Sequence, residues 1–256
     1  MGGLTGVAVV TGAAKGIGAA IVRALAEGGA TVALLDLEDA GALAEEVGGR
    51  AWVCDVSDKA AVETVMADVA ETLGPVRLLV ANAGIVTGPG QPFTLNDEAD
   101  WDRAFAVNVK GVVHSAGAVE AGMRAAGDGR IVVVSSITGL IAAPFMPPYS
   151  VSKAAVNGLV RVLARQLAPD GITVNAVCPG FVWSPLWEDL GAEMAVTSGG
   201  AHADAQAVFD SRIEQLVPMG RPQAPEEVAA LVAFLCSDAA RNITGQLIAV
   251  DGGVSI

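Results

Sequence analysis

The chain is poor in the residues on which several classes of protein depend. Only 3 of its 256 residues are cysteine: Cys54, Cys178 and Cys236. They lie far apart and lack CxxC spacing, so neither a disulfide framework nor a thiolate zinc site is indicated, and all three read as buried small hydrophobes. The 2 histidines, His114 and His202, show no metal-ligand partner pattern, and no metal is expected. Positive charge is also scarce. Fifteen basic against 28 acidic residues leave a net charge of −13, which repels phosphate backbones and anionic lipid, so nucleic acid and membrane surfaces are not expected partners. Apolar runs fall short of a membrane span, and Met1 to Gly6 carry no basic segment leading into a signal-like apolar core, so the expected location is the cytoplasm. Aromatic residues make up only 4%, with a single tyrosine, Tyr149, and lysine occurs four times, once at Lys153. No internal repeat or low-complexity linker divides the sequence, so one domain over residues 1–256 is expected.

What the chain does have is a 52% hydrophobic content arranged in short blocks. Seven runs, at 7–10, 31–35, 51–54, 78–81, 131–134, 173–177 and 247–250, are apolar at nearly every position. That pattern predicts strands covered on both faces, as in a parallel sheet between helices. Helix-like segments at 17–27, 60–72, 97–125, 150–167 and 225–237 separate them. The last begins with Pro225, Glu226 and Glu227, a first-turn proline with carboxylates facing the positive end of the helix dipole. The predicted fold is α/β, a single doubly wound (Rossmann-type) parallel sheet of about seven strands flanked by helices. The least regular stretch, 185–219, is too long for a simple connection and is read as a substrate lid, with a plain surface excursion as the alternative.

Thr11 to Gly18 follow the first strand and open a helix, with glycine at Gly12, Gly16 and Gly18. Glycines there permit close backbone approach, and the amides of the following helix, Ile17 among them, favour pyrophosphate oxygens. The spacing is Gly-x3-Gly-x-Gly rather than GxGxxG, so an ordinary glycine-rich turn fits as well. Asp36, 18 residues beyond Gly18 and followed by Leu37, ends the second strand where an acid would accept hydrogen bonds from adenosine ribose hydroxyls and repel a 2′-phosphate. Its plainer reading is an acid at a strand end. Lys15 complicates the choice because a cation in the loop can compensate a 2′-phosphate. On balance NAD(H) is the expected cofactor.

Tyr149 and Lys153 stand at i and i+4, on one face of a helix. A phenol with a pKa of about 10 is a poor base near neutrality, and lowering it by roughly three units takes about 4 kcal/mol, within reach of a neighbouring lysine together with a positive nicotinamide.

With Asn82-Ala83-Gly84, Asn108, Ser136, Pro179-Gly180 and Asp251-Gly252-Gly253 added in order, the sequence resembles the classical short-chain dehydrogenase/reductase family over essentially its whole length. The resemblance implies that Ser136 hydrogen-bonds the substrate oxygen, Tyr149 exchanges its proton, and Lys153 binds the nicotinamide ribose and lowers the tyrosine pKa. Asn108 would hold a relay water, or else only kink its helix. Asp55 and Val56 would flank the adenine. Asn82, Ala83 and Gly84 would line the dinucleotide, where Ala81 replaces the first of the two asparagines common in the family. Pro179, Gly180 and Val182 would border the nicotinamide, and Ser184 would stand for the usual carboxamide-binding threonine. Family members pair their long helices into dimers that associate as homotetramers, which is expected here.

Residues expected around the reacting carbon are Val86, Thr138, Phe145, Met146, Phe181, Trp183 and Trp187, nearly all apolar, and each could equally be core. They predict a hydrophobic secondary alcohol or its ketone. No arginine lies near the motif except Arg161 and Arg165, so no carboxylate clamp is expected. Two alternatives stand beside this reading. One is a 3-oxoacyl-(acyl-carrier-protein) reductase-like enzyme, ill suited to so acidic a chain. The other is a catalytically silent NAD(H)-binding sensor or scaffold, which the presence of Ser136, Tyr149 and Lys153 argues against.

Overall fold

A computed structural model of the chain describes residues 3–89, 93–141, 143–197 and 199–256. Met1 and Gly2 of the N-terminal stretch and Ser198 of the expected lid lie outside the described residues.

The seven apolar runs all become strands: β1 Val7–Thr11, β2 Thr31–Asp36, β3 Arg50–Val53, β4 Val76–Ala81, β5 Gly129–Val134, β6 Ile172–Pro179 and β7 Leu247–Val250. They form one parallel sheet in the order β3-β2-β1-β4-β5-β6-β7. Successive strand side chains point to opposite faces, so a strand apolar at every position needs a core on each side. On β1, Ala8 and Val10 join one cluster while Val7 and Val9 join the other. The first cluster is covered by α1 Gly16–Glu27 packed on α9 Pro225–Cys236. The second is covered by α3 Lys59–Leu73, α5 Gly111–Ala126 and α6 Pro147–Leu167. Strand order reverses between β1 and β4, and the crevice beyond the carboxyl ends of such neighbours is where open α/β sheets bind ligands.

Three segments depart from the sequence reading. A short helix, α2 Gly41–Val47, precedes β3 and went unread because its seven residues are too few to show a period. The expected helix over 97–125 is α4 Glu98–Phe105 joined to α5 through a π turn, Ala106–Lys110, with Asn108 at its centre. The supposedly irregular 185–219 contains two helices, α7 Pro185–Thr197 and α8 Ala205–Leu216. Gly191 obscured the first. A Cβ there would lie 3.0 Å from the Ala205 backbone, so this glycine is where α7 and α8 touch. The second is capped by Asp204, whose Oδ1 accepts from the Ala207 amide at 2.9 Å. A third cluster, with Phe181, Trp187, Leu190, Phe209 and Ile213 at its centre, fixes both helices above the β5–β6 end of the sheet. Trp187 lies 5.1 Å from Phe209 and 5.5 Å from Phe181, ring centre to ring centre.

Candidate active site

One cavity of about 680 Å³ runs along the carboxyl end of the sheet. Its first half is made of backbone. Gly12 and Gly18 let β1, α1 and β4 close together: a Cβ on Gly12 would meet the Ala83 Cα at 2.8 Å, and one on Gly18 would collide with the Gly12 carbonyl. Asn82 holds this junction by donating through Nδ2 to the carbonyls of Thr11 at 3.0 Å and Gly12 at 2.8 Å. Gly16, at φ +56°, turns the chain into α1, whose cap residue Lys15 makes no side-chain capping bond. The first helical amides are therefore available to an anion.

Asp36 sits at the end of this cradle. Its Oδ2 accepts from the Ala14 amide at 2.8 Å and its Oδ1 from the Glu38 amide at 3.0 Å, so it ties the glycine loop to β2. A carboxylate has about four acceptor sites, so it can still receive two hydroxyls. Lys15, the cation that clouded the sequence reading, pairs with Glu38 at 2.6 Å. Leu37, Asp55, Val56, Ala83 and Gly84 complete this half. The Val56 carbonyl lies 2.9 Å from Nδ1 of His114, which gives that histidine a structural part.

Tyr149 and Lys153 rise from the first two turns of α6, with the Lys153 Nζ 5.5 Å from the tyrosine ring centre. Lys153 is buried and donates to the Val134 carbonyl at 2.9 Å, and burial lowers its ammonium from 10.5 to about 8. Burial likewise drives the Tyr149 phenol up from 10.0 to about 12, with the Ser136 hydroxyl pulling the other way. The downward shift expected from the sequence is thus not produced by the protein alone, because desolvating a phenolate outweighs one hydroxyl donor. Ser136 Oγ receives the Thr138 amide and hydroxyl, both at 3.1 Å. Ser135, its neighbour, donates to Asn157 Oδ1 at 2.7 Å and belongs to the packing of β5 on α6.

Asn108 lies beneath the cavity wall instead of lining it. Its Oδ1 accepts from the Ile85 amide, and its Nδ2 donates to the Ile85 carbonyl and to Ser152 Oγ, each at 2.9 Å. A Cβ on Gly84 would sit 3.3 Å from both Asn108 Oδ1 and Lys153 Nζ, which marks how closely the three converge. A π turn opens the regular hydrogen-bond ladder and recurs at functional sites.

Pro179, Gly180, Val182 and Ser184, then Val86, Thr138, Phe145, Met146, Phe181 and Trp187, line the remainder of the cavity. Trp183 is not among them; its ring packs edge-on against Phe209 at 5.0 Å. Among the lining residues that the sequence did not single out are Glu38, Ile137, Leu216, Val254 and Arg212. Arg212 comes from α8 and stacks over Phe145 at 5.3 Å. No motif marks it, and only the fold of the 185–219 stretch brings it to the wall.

A dinucleotide-sized cleft on a doubly wound sheet, with a phenol and an ammonium on one helix face, defines an oxidoreductase of the nucleotide-binding α/β class. The family profile described as enoyl-(acyl carrier protein) reductase matches residues 12–255, and the chain belongs to the short-chain dehydrogenase/reductase family. It is 42% identical over 253 residues to the cis-4-hydroxycyclohexanecarboxylate dehydrogenase of Sinomonas cyclohexanicum, covering 96% of this chain and 95% of that one. It is 39% identical over 264 residues to oxidoreductase UcpA of Salmonella typhimurium (strain LT2), covering 100% and 97%. Among solved structures, NAD+-bound xylitol dehydrogenase superposes with a TM-score of 0.90 at 32% identity, covering 98% of this chain and 99% of that one. Among the described residues no helix is long and apolar enough to cross a membrane, and no group of three or more His, Cys, Asp or Glu could hold a metal ion.

Proposed function

We propose that the protein is an NAD(H)-dependent dehydrogenase that interconverts a hydrophobic secondary alcohol and its ketone. The observation that carries this reading is the convergence of Ser136, Tyr149 and Lys153 on a cavity that also contains the glycine cradle and Asp36. The names of the relatives, which are dehydrogenases of a cyclic hydroxy acid and a polyol, support the reaction class. Asp36 supports NAD over NADP, since a 2′-phosphate would meet the carboxylates of Asp36 and Glu38, the second of which also holds Lys15 in an exposed pair.

A nicotinamide held by the glycine cradle, Asp36 and Lys153 would supply the hydride-exchanging carbon and, when oxidised, a positive charge. Tyr149 takes the hydroxyl proton of the alcohol, or returns it to the ketone oxygen. Ser136 holds that oxygen in place through its hydroxyl. Lys153 stabilises the phenolate, and a water held beside Asn108 would connect it to solvent. The apolar wall keeps the reacting carbon away from water. Helices α7 and α8 form a lid that sets the size of the substrate.

Tyr149→Phe removes the transferable proton without altering the ring. Purified Tyr149→Phe should lose about 10²–10⁴-fold in kcat while binding NADH as the wild type does. Retention of more than about a tenth of kcat would refute the assignment.

The expected homotetramer is part of the same proposal. Val113 on α5 and Val151 and Val162 on α6 are exposed apolar side chains, and a Cβ on Gly117, Gly122 or Gly158 would meet nothing within 4 Å. These helices can therefore accept a second copy at close range.

A further inference from the structure

Three cationic side chains reach the cavity, and two of them are committed: Lys15 to Glu38, and Lys153 to Tyr149 and the Val134 carbonyl. Arg212 is the third. Among the described residues it has no carboxylate within ion-pair distance, although acidic residues outnumber basic ones 28 to 15 across the chain. Its place on α8 explains the isolation. Phe209 and Ile213, four residues apart, bury one stripe of the helix in the third cluster, and Arg212 and Leu216, also four apart, present the adjoining stripe to the cavity. The Phe145 ring, 5.3 Å from the guanidinium carbon, holds the planar head in position. The acids on the cavity wall, Asp36, Glu38 and Asp55, all belong to its dinucleotide half.

A half-buried guanidinium in an otherwise apolar wall carries a desolvation cost that an anion would offset. Its fork of donors matches the two coplanar oxygens of a carboxylate. One uncompensated positive charge suits a monoanion better than a phosphate dianion. We propose that Arg212 is a specificity-determining residue that binds a carboxylate on the substrate, remote from the reacting carbon, so that the physiological substrate is an apolar hydroxy or oxo acid. This rests on the alcohol/ketone reading for the reaction, but the recognition itself does not depend on turnover.

The test uses a matched pair of unreactive ligands, cyclohexanecarboxylate and its neutral carboxamide, titrated calorimetrically into wild-type and Arg212→Gln protein saturated with NADH. The wild type should bind the carboxylate about 10–100-fold more tightly than the amide, the range of a charge-assisted pair. Arg212→Gln should abolish that difference, leave the amide and NADH affinities unchanged, and melt normally, while Arg212→Lys should recover part of it. Equal binding of acid and amide by the wild type, or equal weakening of both in Arg212→Gln, would overturn the proposal. So would a loss of NADH affinity in Arg212→Gln, which would make the residue a cofactor contact. Selective carboxylate binding without oxidation of any hydroxy acid would instead refute the dehydrogenase reading and leave this one standing.

Discussion

Lys153 is only 4% exposed and, among the described residues, has no carboxylate partner and makes one hydrogen bond to a protein atom, to the Val134 carbonyl. The lowering of its ammonium from 10.5 to about 8 corresponds to about 3 kcal/mol, at about 1.4 kcal/mol per pKa unit. Because the folded-state value lies below the unfolded one, this is a destabilisation. It is present in full below pH 8, where the folded protein must bury a charge, and fades as the pH rises from about 8 towards 10.5. Lys153→Met keeps the length of the side chain and removes the charge, at the cost of the Val134 bond, worth about 1 kcal/mol. The net expectation without cofactor at pH 7 is a gain of roughly 2 kcal/mol, or about 4–8 °C in Tm for a chain of this size. Turnover should collapse in the same variant. Thermal melts of wild type and Lys153→Met followed by circular dichroism at pH 7 and pH 10 test both the sign and the pH dependence. A variant that melts at or below the wild type at pH 7, or whose advantage is the same at both pH values, would refute the reasoning.

Three further outcomes are expected. Asp36→Ala should narrow or invert the ratio of kcat/KM for NAD over NADP, and Glu38→Gln, by freeing Lys15, should raise activity with NADP; a wild type that uses both cofactors equally would contradict the role of Asp36. Trp187→Leu should raise KM for bulky alcohols more than for small ones, and equal effects would mean that α7 only covers the site. Light scattering at micromolar concentration should give about 100 kDa, four times the 25.7 kDa chain, and a monomer would contradict the proposed association of α5 and α6.

The sheet could be read from the sequence because burial on both faces forces a continuous apolar run, a signal that needs no knowledge of neighbours. The edges of those runs were set less well: β6 extends to Pro179 and β4 begins at Val76, since strand ends carry the polar and turn residues that blur the pattern. The glycine cradle and the Tyr149–Lys153 pair were legible because each requires fixed residues at fixed spacing. The Lys15–Glu38 pair was not, although Lys15 stands in the glycine loop, because it depends on how the segment after β2 turns back towards that loop. Trp183 shows the opposite error. The sequence places an aromatic residue two positions after Phe181 towards substrate, and the structure turns its ring against Phe209, which lies on α8 and carries no motif.

The two halves of the cavity are built in different ways, and this decides what sequence can reveal about each. The cofactor half rests on main-chain atoms held by the sheet, where almost any added atom at Gly12 or Gly18 collides with backbone. The other half rests on side chains, those of α7 and α8 among them, and the cluster of Phe181, Trp187, Leu190 and Phe209 that seats these helices is separate from the two clusters flanking the sheet. Exchanges on the cavity face of those helices, such as at Arg212 or Leu216, leave both sheet cores and the glycine cradle untouched. The same scaffold can therefore keep its sheet and glycine cradle while the cavity face of α7 and α8 varies. In those helices a lone cation or ring acquires meaning only once folding has brought it to the cavity that also holds Tyr149.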